Sequence, residues 1–417
     1  MLLCFEEKTM NLEIENFGKI KKAGINLEGL TVITGENDTG KSTVGKILFW
    51  LVNTINGYSS RSEEIIKNIA IKNISNSLTY IARKGITIPK NLDSFTDNSL
   101  FTASNSLKFE DIKNMLSDTL NFIKNADFTN DTVIKKYYDD MKNIEDYTEE
   151  DKLFLSLEIN KSEIFEDNIN NSVDKNSVAK IRLSLNGEDI FSAEVEKDIF
   201  KSIKFNKDKF KILWNNVDFI ETPLMIDNIN ENSNKIWENK FLKEYKEKIV
   251  ASKQKNGFDA IKNLLNANVV IDDKTGKILF KKNEVSKELD ILNIATGAKS
   301  FVVLDILRKL GNFETNSITV FDEPENHLHP AWQIKYAELL VSFVKNGANI
   351  VLTTHSPYMV QALKYYIDKE KLNKDRFRFL LSEKLENNWA NLNDVTDKSY
   401  KIFDVLEKPL FDVTPEE

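Results

Sequence analysis

Apolar and polar positions along the 417-residue chain follow different periods in different stretches. Residues 30–34 form an unbroken apolar and β-branched run, the mark of a strand covered on both faces. Residues 10–15 and 24–34 read as two strands with a turn at Phe17-Gly18-Lys19, and residues 43–52 read as a helix. Between 55 and 150 the apolar spacing is three to four. Phe109, Ile112, Leu116, Leu120 and Ile123 share one helical face, and Val133, Ile134, Tyr137, Tyr138, Met141 and Ile144 another. From about residue 152 the period becomes two: 153–159, 179–185 and 190–196 are predicted strands, the last pair joined by Asn186-Gly187. A short apolar strand at 217–221 stops at Thr222-Pro223. Helical spacing returns over 230–265, with Trp237, Phe241 and Tyr245 on one face. A second hairpin pairs 269–271 with 278–281 across a turn at 273–276.

After Leu289 helix and buried strand alternate: helix 300–310, strand 317–321, helix 331–345, strand 349–353. Such alternation predicts a parallel sheet with helices on its faces. A strand at 377–382, an extended segment at 394–396 and a short helix ending near Pro409 complete the tail. Sustained heptads, internal repeats and Gly/Ser/Pro-rich linkers are missing, which argues against a long coiled coil. The predicted organisation is 1–54, a helical insertion at 55–150, an antiparallel lobe at 151–228, and 229–417.

Composition narrows the class. With 41% hydrophobic and 29% charged residues the chain reads as globular and soluble. No apolar run is long enough to span a bilayer, and the first residues do not resemble a signal peptide, so a cytoplasmic protein without membrane partners is expected. A single cysteine, Cys4, excludes an internal disulfide and reads as a buried residue of the first strand. The net charge of −8 gives no bulk attraction to nucleic acid, although a local basic patch remains open. Only three histidines are present, His327, His329 and His355, so no separate histidine metal site or zinc module is expected.

The chemistry sits at strand ends. The run at 30–34 leads into Gly35-Glu36-Asn37-Asp38-Thr39-Gly40-Lys41-Ser42-Thr43 and then a helix. This is the P-loop pattern in its strand–loop–helix setting. Glycines let backbone N–H groups turn toward phosphate oxygens, and the helix N-terminus adds a positive dipole end. Lys41 is placed to reach the β- and γ-phosphates of ATP, and the Ser42 hydroxyl to ligate Mg2+. The strand at 317–321 ends in Asp322-Glu323-Pro324: Asp322 would hold Mg2+ directly or through water, and Glu323 would act as general base or orient the attacking water. The strand at 349–353 ends in Thr354-His355-Ser356-Pro357, where His355 can contact the γ-phosphate or the attacking water. Glu325-Asn326-His327-Leu328-His329-Pro330 reads as a structural or interface loop rather than a metal site. Ala295-Thr296-Gly297-Ala298-Lys299 before a helix offers a second phosphate site or an ordinary turn and cap. Lysines and aromatics interleave over 200–211, the pattern of a solvated strand face or of a nucleic-acid contact.

In this order the motifs resemble the ABC-type ATPase head, most of all the OLD/RecF/Rad50/SMC-like branch known as AAA-15 or AAA-21 ATPases. Leu12-Glu13-Ile14-Glu15-Asn16-Phe17-Gly18, Gly35-Glu36-Asn37, Asp322-Glu323-Pro324-Glu325-Asn326-His327-Leu328-His329-Pro330 and Thr353-Thr354-His355-Ser356-Pro357 carry the likeness, over about 9–50 and 210–410. It implies an α/β P-loop NTPase of ABC-head type, a mostly parallel core sheet with an antiparallel lobe and a helical insertion. It also implies a homodimer or higher homo-oligomer joined through its ATP sites, where Thr296 and Gly297, supported by Lys299, act on the nucleotide of the other copy. Two residues depart from the pattern: Ala295 stands at the signature's usual serine, and Glu221-Thr222-Pro223 stands where a Q-loop glutamine is expected.

The resemblance implies a Mg2+-dependent ATP hydrolase. Since no nuclease fold is expected beyond Val413, standalone heads of this kind resemble the ATPase subunits of two-component antiphage systems such as the Septu and PARIS types. The leading expectation is a sensor or scaffold for a separate effector, a nuclease or toxin. The alternatives are a RecF- or Rad50-like clamp on DNA and a binding module that uses ATP only as a switch.

Overall fold

The computed structural model describes residues 9–93, 108–145, 147–166, 169, 177–210, 214, 216–228, 235–250, 267–272, 277–282 and 288–408. It divides into two compact units, Met1–Asn53 with Lys161–Glu417, and Thr54–Asn160.

In the first unit β1 (Met10–Phe17) and β2 (Ile20–Asn26) form a hairpin, and β3 (Leu30–Gly35) leads into the P-loop. The single strand expected over 24–34 is broken by Gly29 at φ 68°, where a Cβ would lie 2.1 Å from the Arg376 carbonyl oxygen. Helix α1 follows as Lys41–Arg83, far longer than the expected 43–52, because no proline or helix-ending glycine intervenes. The second unit holds α2 (Phe109–Asn125), α3 (Thr132–Glu145) and most of α4 (Glu149–Phe165). Its core joins Ile66, Ile74 and Leu78 of α1 to Ile112, Leu116, Ile134 and Met141.

Helix α4 overturns the strand expected at 153–159. Its apolar residues satisfy both periods, but burial falls on Leu153, Ser156, Leu157, Asn160 and Ile164, three or four apart, while Phe154 is exposed. Thr148 and Asp151 exchange capping hydrogen bonds at its start, Thr148 N–H to Asp151 Oδ2 at 2.8 Å and Asp151 N–H to Thr148 Oγ1 at 3.2 Å.

Strands β4 (Ala179–Leu185), β5 (Glu188–Glu196), β6 (Ile199–Phe205) and β7 (Asn216–Ile220) come next. Asn186 and Gly187 turn the β4–β5 hairpin at φ 50° and 81°. Helix α5 (Ile236–Glu244) continues into a π-helical turn at Tyr245–Val250, and the rest of the helix expected to 265 lies outside the described residues. Strands β8 (Ala267–Ile271), β9 (Ile278–Lys282) and β10 (Leu289–Asp290) make a small antiparallel sheet; its turn at 273–276, like Cys4, lies outside the described residues. Then α6 (Thr296–Leu310), β11 (Ser317–Asp322), α7 (Pro330–Lys345), β12 (Asn349–Thr354) and α8 (Pro357–Lys369) alternate. The tail adds β13 (Phe377–Lys384), the unanticipated strand β14 (Ala390–Asp394) and α9 (Tyr400–Leu406).

One eleven-stranded sheet runs β6-β5-β4-β1-β2-β14-β13-β3-β12-β11-β7. From β13 to β7 all neighbours are parallel, and β3, β11 and β12 are buried at every position. The β2–β1–β4–β5–β6 lobe is antiparallel and mostly alternates buried with exposed residues. Register puts Gly35 beside Ser382, Thr34 beside Thr354, Asp322 beside Thr353, and Ile220 beside Phe321. All these strands therefore deliver their C-terminal ends to one edge, where ligands gather in open α/β sheets. Helices α6, α7 and α8 contribute to the large core around Phe301, Tyr336, Leu340 and Leu363.

Candidate active site

The loop from Gly35 is built for close backbone approach. Gly35 has φ 135°, and a Cβ there would sit 2.5 Å from the Ser382 carbonyl oxygen; Gly40 has φ 82° with Ile20 Cγ1 at 3.0 Å. Glu36, Asn37 and Asp38 are exposed at its tip, while Thr39 is buried and its hydroxyl donates to the Glu36 carbonyl at 2.9 Å. Ser382 Oγ donates to the Thr39 carbonyl at 3.0 Å. Lys384 pairs with Glu36 at 2.9 Å, and Lys19 pairs with Asp38, so the end of β13 and the β1–β2 turn tie the loop. Ser42 and Thr43 begin α1 with Lys41, whose ammonium is turned onto the Gly35 and Glu36 carbonyls at 3.1 and 2.7 Å. Burial pushes the Lys41 ammonium down, opposed by the nearby charges of Glu323, Asp322 and Glu325.

Asp322, 9% exposed, accepts hydrogen bonds from Thr353 and Ser42, and burial raises its carboxyl above the usual range, with Glu323 and Glu221 adding repulsion. Glu323 is held at φ 48°, a strained conformation for a non-glycine residue, and its N–H reaches both the Thr353 carbonyl (3.1 Å) and hydroxyl (3.0 Å). Its Oε1 lies 3.3 Å from His355 Nδ1, and its Oε2 accepts from Asn326 at 3.3 Å. That histidine contact holds the Glu323 carboxyl below the usual range and raises the imidazole of His355. The residues expected to be catalytic, Lys41, Glu323 and His355, thus lie in one charge-coupled group with Asp322.

This group suits Mg2+ bound together with a nucleotide. Carboxylates outnumber the cations facing them, and the Ser42 hydroxyl and Asp322 carboxylate already meet. Among the described residues no three His, Cys, Asp or Glu side chains could hold a metal by themselves. Mg2+ needs only one or two protein carboxylates when phosphates complete its shell.

The signature residues stand apart in role. Thr296 opens α6, and no side chain caps that N-terminus. Gly297 packs tightly, with the His327 carbonyl and the Trp332 ring 3.1 Å from where a Cβ would be. Lys299, expected to support these two residues, is 3% exposed and its ammonium is bound by Asp227 at 2.7 and 2.8 Å. Glu221, at the Q-loop position, pairs with Lys235. His329 caps α7, its Nδ1 accepting from Ala331 N–H at 3.3 Å. On the lobe that carries the 200–211 stretch, Lys201 pairs with Glu196 at 3.0 Å, Lys180 with Glu194 at 3.2 Å, and Lys209 with Glu188, so acidic partners interleave with the basic ones.

Two residues of the site were given no individual role from the sequence. Glu325 accepts from Thr354 Oγ1 at 2.6 Å and from His355 N–H at 2.9 Å. Gln333 on α7 accepts from Ser356 Oγ at 2.6 Å and donates to the Leu328 carbonyl at 3.0 Å. Together they clamp Thr354-His355-Ser356 to the loop after Asp322. No helix among the described residues is long and apolar enough to cross a membrane.

A stretch of 27% identity over 169 residues links the chain to the retron Ec83 probable ATPase of Escherichia coli, covering 34% of this chain and 31% of that protein. The chain thus matches about a third of that relative's length. Solved structures similar to it include the SMC head domain from Thermotoga maritima (13% identity, TM-score 0.41, 93% of this chain and 98% of that one). An Smc head with a coiled coil and joint from Pyrococcus yayanosii is another (11% identity, TM-score 0.39, 97% and 100%). The model of the AAA ATPase domain matches residues 8–360. With that match spanning most of its length and the phosphate loop and carboxylates assembled at one sheet edge, the chain belongs to the AAA ATPase domain family and is an ATP hydrolase.

Proposed function

We propose that this ATPase acts on Mg·ATP as a nucleotide-driven dimer that governs a separate effector, a nuclease or toxin, in bacterial antiphage defence. Lys41 leaves the Gly35 and Glu36 carbonyls for phosphate oxygens, and the N–H groups of residues 35–43 line the remainder of the cradle. Ser42 and Asp322 are the residues that would hold Mg2+, which neutralises phosphate charge when bound. Glu323 takes the proton of the attacking water, and His355 Nδ1 holds that carboxylate in place before it does.

The observation that carries the dimer is the N-terminus of α6. Its N-cap residue, Ala295, makes no side-chain cap, and Leu292, Asn293 and Ala295 are exposed; a helix N-terminus of this kind favours an anion. Thr296 and Gly297 would bring that site to the nucleotide of a second copy. The effector role rests on the likeness to a retron ATPase and on the helical second unit with its own core. A DNA clamp is less favoured, because the basic residues of the β4–β6 lobe alternate with acidic partners.

Glu323→Gln should bind Mg·ATP and accumulate as a dimer by light scattering while phosphate release stops. Wild-type hydrolysis in that variant removes Glu323 from its role. A variant that stays monomeric with ATP removes the composite site. In cells, loss of phage protection by Lys41→Ala supports defence, whereas DNA-stimulated hydrolysis without a phage phenotype selects the clamp.

A further inference from the structure

Beside the hydrolytic carboxylate lies a second one that the scheme above leaves idle. Glu325 is 4% exposed. Its Oε1 serves Thr354 Oγ1 and the His355 backbone N–H, while its Oε2 is buried and takes no hydrogen bond. Burial pushes this carboxyl up. A glutamine would meet the same two donors with its own Oε1 and bring no buried charge, though its Nε2 would lack an acceptor where Oε2 now sits. Capping itself needs no charge, so the carboxylate calls for a reason beyond it.

The imidazole of His355 supplies one. Its Nδ1 lies 3.3 Å from Glu323 Oε1 and 3.6 Å from Glu325 Oε1. One ring nitrogen carries one hydrogen, so two carboxylates compete for a single donor. While that hydrogen is given to Glu323 Oε1, this oxygen is engaged and is a poorer acceptor for a proton from water. Rotation of the ring toward Glu325 brings the second acceptor within hydrogen-bond reach and releases Glu323. The backbone on either side stays clamped through Thr354 and through the Ser356–Gln333 bond of 2.6 Å. The charged groups facing the ring are Glu323, Glu325 and Lys41.

We propose that Glu325 is a positioning residue for hydrolysis, offering His355 Nδ1 a second carboxylate acceptor so that the imidazole frees Glu323 without losing its hydrogen bond. This rests on the reading of Glu323 as the base. Glu325→Gln keeps the acceptor for Thr354 and the His355 N–H but removes the charge. It should lower kcat about tenfold, the difference between an ionic and a neutral acceptor, with KM for ATP unchanged. A wild-type kcat overturns the proposal.

A second measurement does not depend on turnover. With three histidines in the chain, the His355 imidazole is assignable by NMR against His355→Gln. In Glu323→Gln the ring keeps one carboxylate, and adding Glu325→Gln should lower its titration midpoint by about one pH unit. Equal midpoints in the single and double variants overturn the proposal. If Glu323→Gln alone hydrolyses ATP at the wild-type rate, the base assignment fails instead, and the midpoints still decide whether Glu325 is the second acceptor.

Discussion

Gly45, near the start of α1, occupies a place where no side chain fits. A Cβ there would stand 2.7 Å from both Phe219 Cε2 and Val320 Cγ1, and 3.1 Å from Phe219 Cδ2. Carbon atoms in good contact are about 3.5–4.0 Å apart. Phe219 on β7 and Val320 on β11 are both fully buried, so relief requires α1 to lift from the sheet by roughly 1 Å. In Gly45→Ala two effects oppose each other. Alanine favours the helix by about 0.8–1.0 kcal/mol, and overpacking costs about 1–3 kcal/mol. The net expectation is a loss of about 0–2 kcal/mol in unfolding free energy. Activity should fall further than stability. Lys41 and Ser42 begin the helix that must lift, and Asp322 ends one of the strands that pushes it. A displacement of about 1 Å at reacting groups can cost about 100-fold. Urea unfolding and phosphate release on the same preparation separate the two effects. Stability raised by about 1 kcal/mol with a wild-type rate would refute the reasoning, since propensity would then outweigh a contact shown to be inconsequential.

Lys41→Ala should lose ATP binding by calorimetry, and retained micromolar affinity would remove the loop from its role. If Asp322 holds Mg2+ as proposed, proton and metal compete for its carboxylate, which burial places above the usual range. The Mg2+ concentration for half-maximal hydrolysis should therefore rise as pH falls, and saturating Mg2+ should restore the rate; a requirement independent of pH contradicts the buried carboxylate. In the metal-free protein the same burial makes the folded state bind the proton more tightly than the unfolded one, so Asp322 adds stability as pH falls through its folded pKa. Unfolding of the wild type against Asp322→Asn across pH checks that sign.

Strands that are apolar without interruption were legible because burial on both faces leaves no other pattern. β3, β11 and β12 are such strands, and each leads at its C-terminal end into the candidate site residues. Residues 153–159 were misread because Leu153, Leu155, Leu157 and Ile159 alternate perfectly, while the helix that forms buries a different subset, including Ser156 and Asn160. Polar residues on a buried helical face mislead any reading based on apolar spacing. β14 was missed for a related reason. Ala390-Asn391-Leu392-Asn393-Asp394 is too polar to announce a strand, and its pairing with β13 and β2 supplies what its composition does not.

Glu325, Gln333 and Asp227, which received no individual role from the sequence, share one property: each acts on a residue distant in sequence through a polar atom that looks ordinary in isolation. Glu325 reaches Thr354, Gln333 reaches Ser356, and Asp227 reaches Lys299. Loop chemistry such as Gly35-to-Ser42 is local, because contiguous backbone N–H groups make the phosphate cradle, so spacing reveals it. Control over a histidine or a helix N-terminus comes from across the sheet, where only register decides which side chains meet. Lys299 shows how far this reaches: placed in a motif it reads as a support for Thr296 and Gly297, and its burial beside Asp227 makes it a tie between α6 and the segment after β7. Motif position thus places a local backbone cradle directly, whereas the partner of a long side chain that can turn inward is set by the fold.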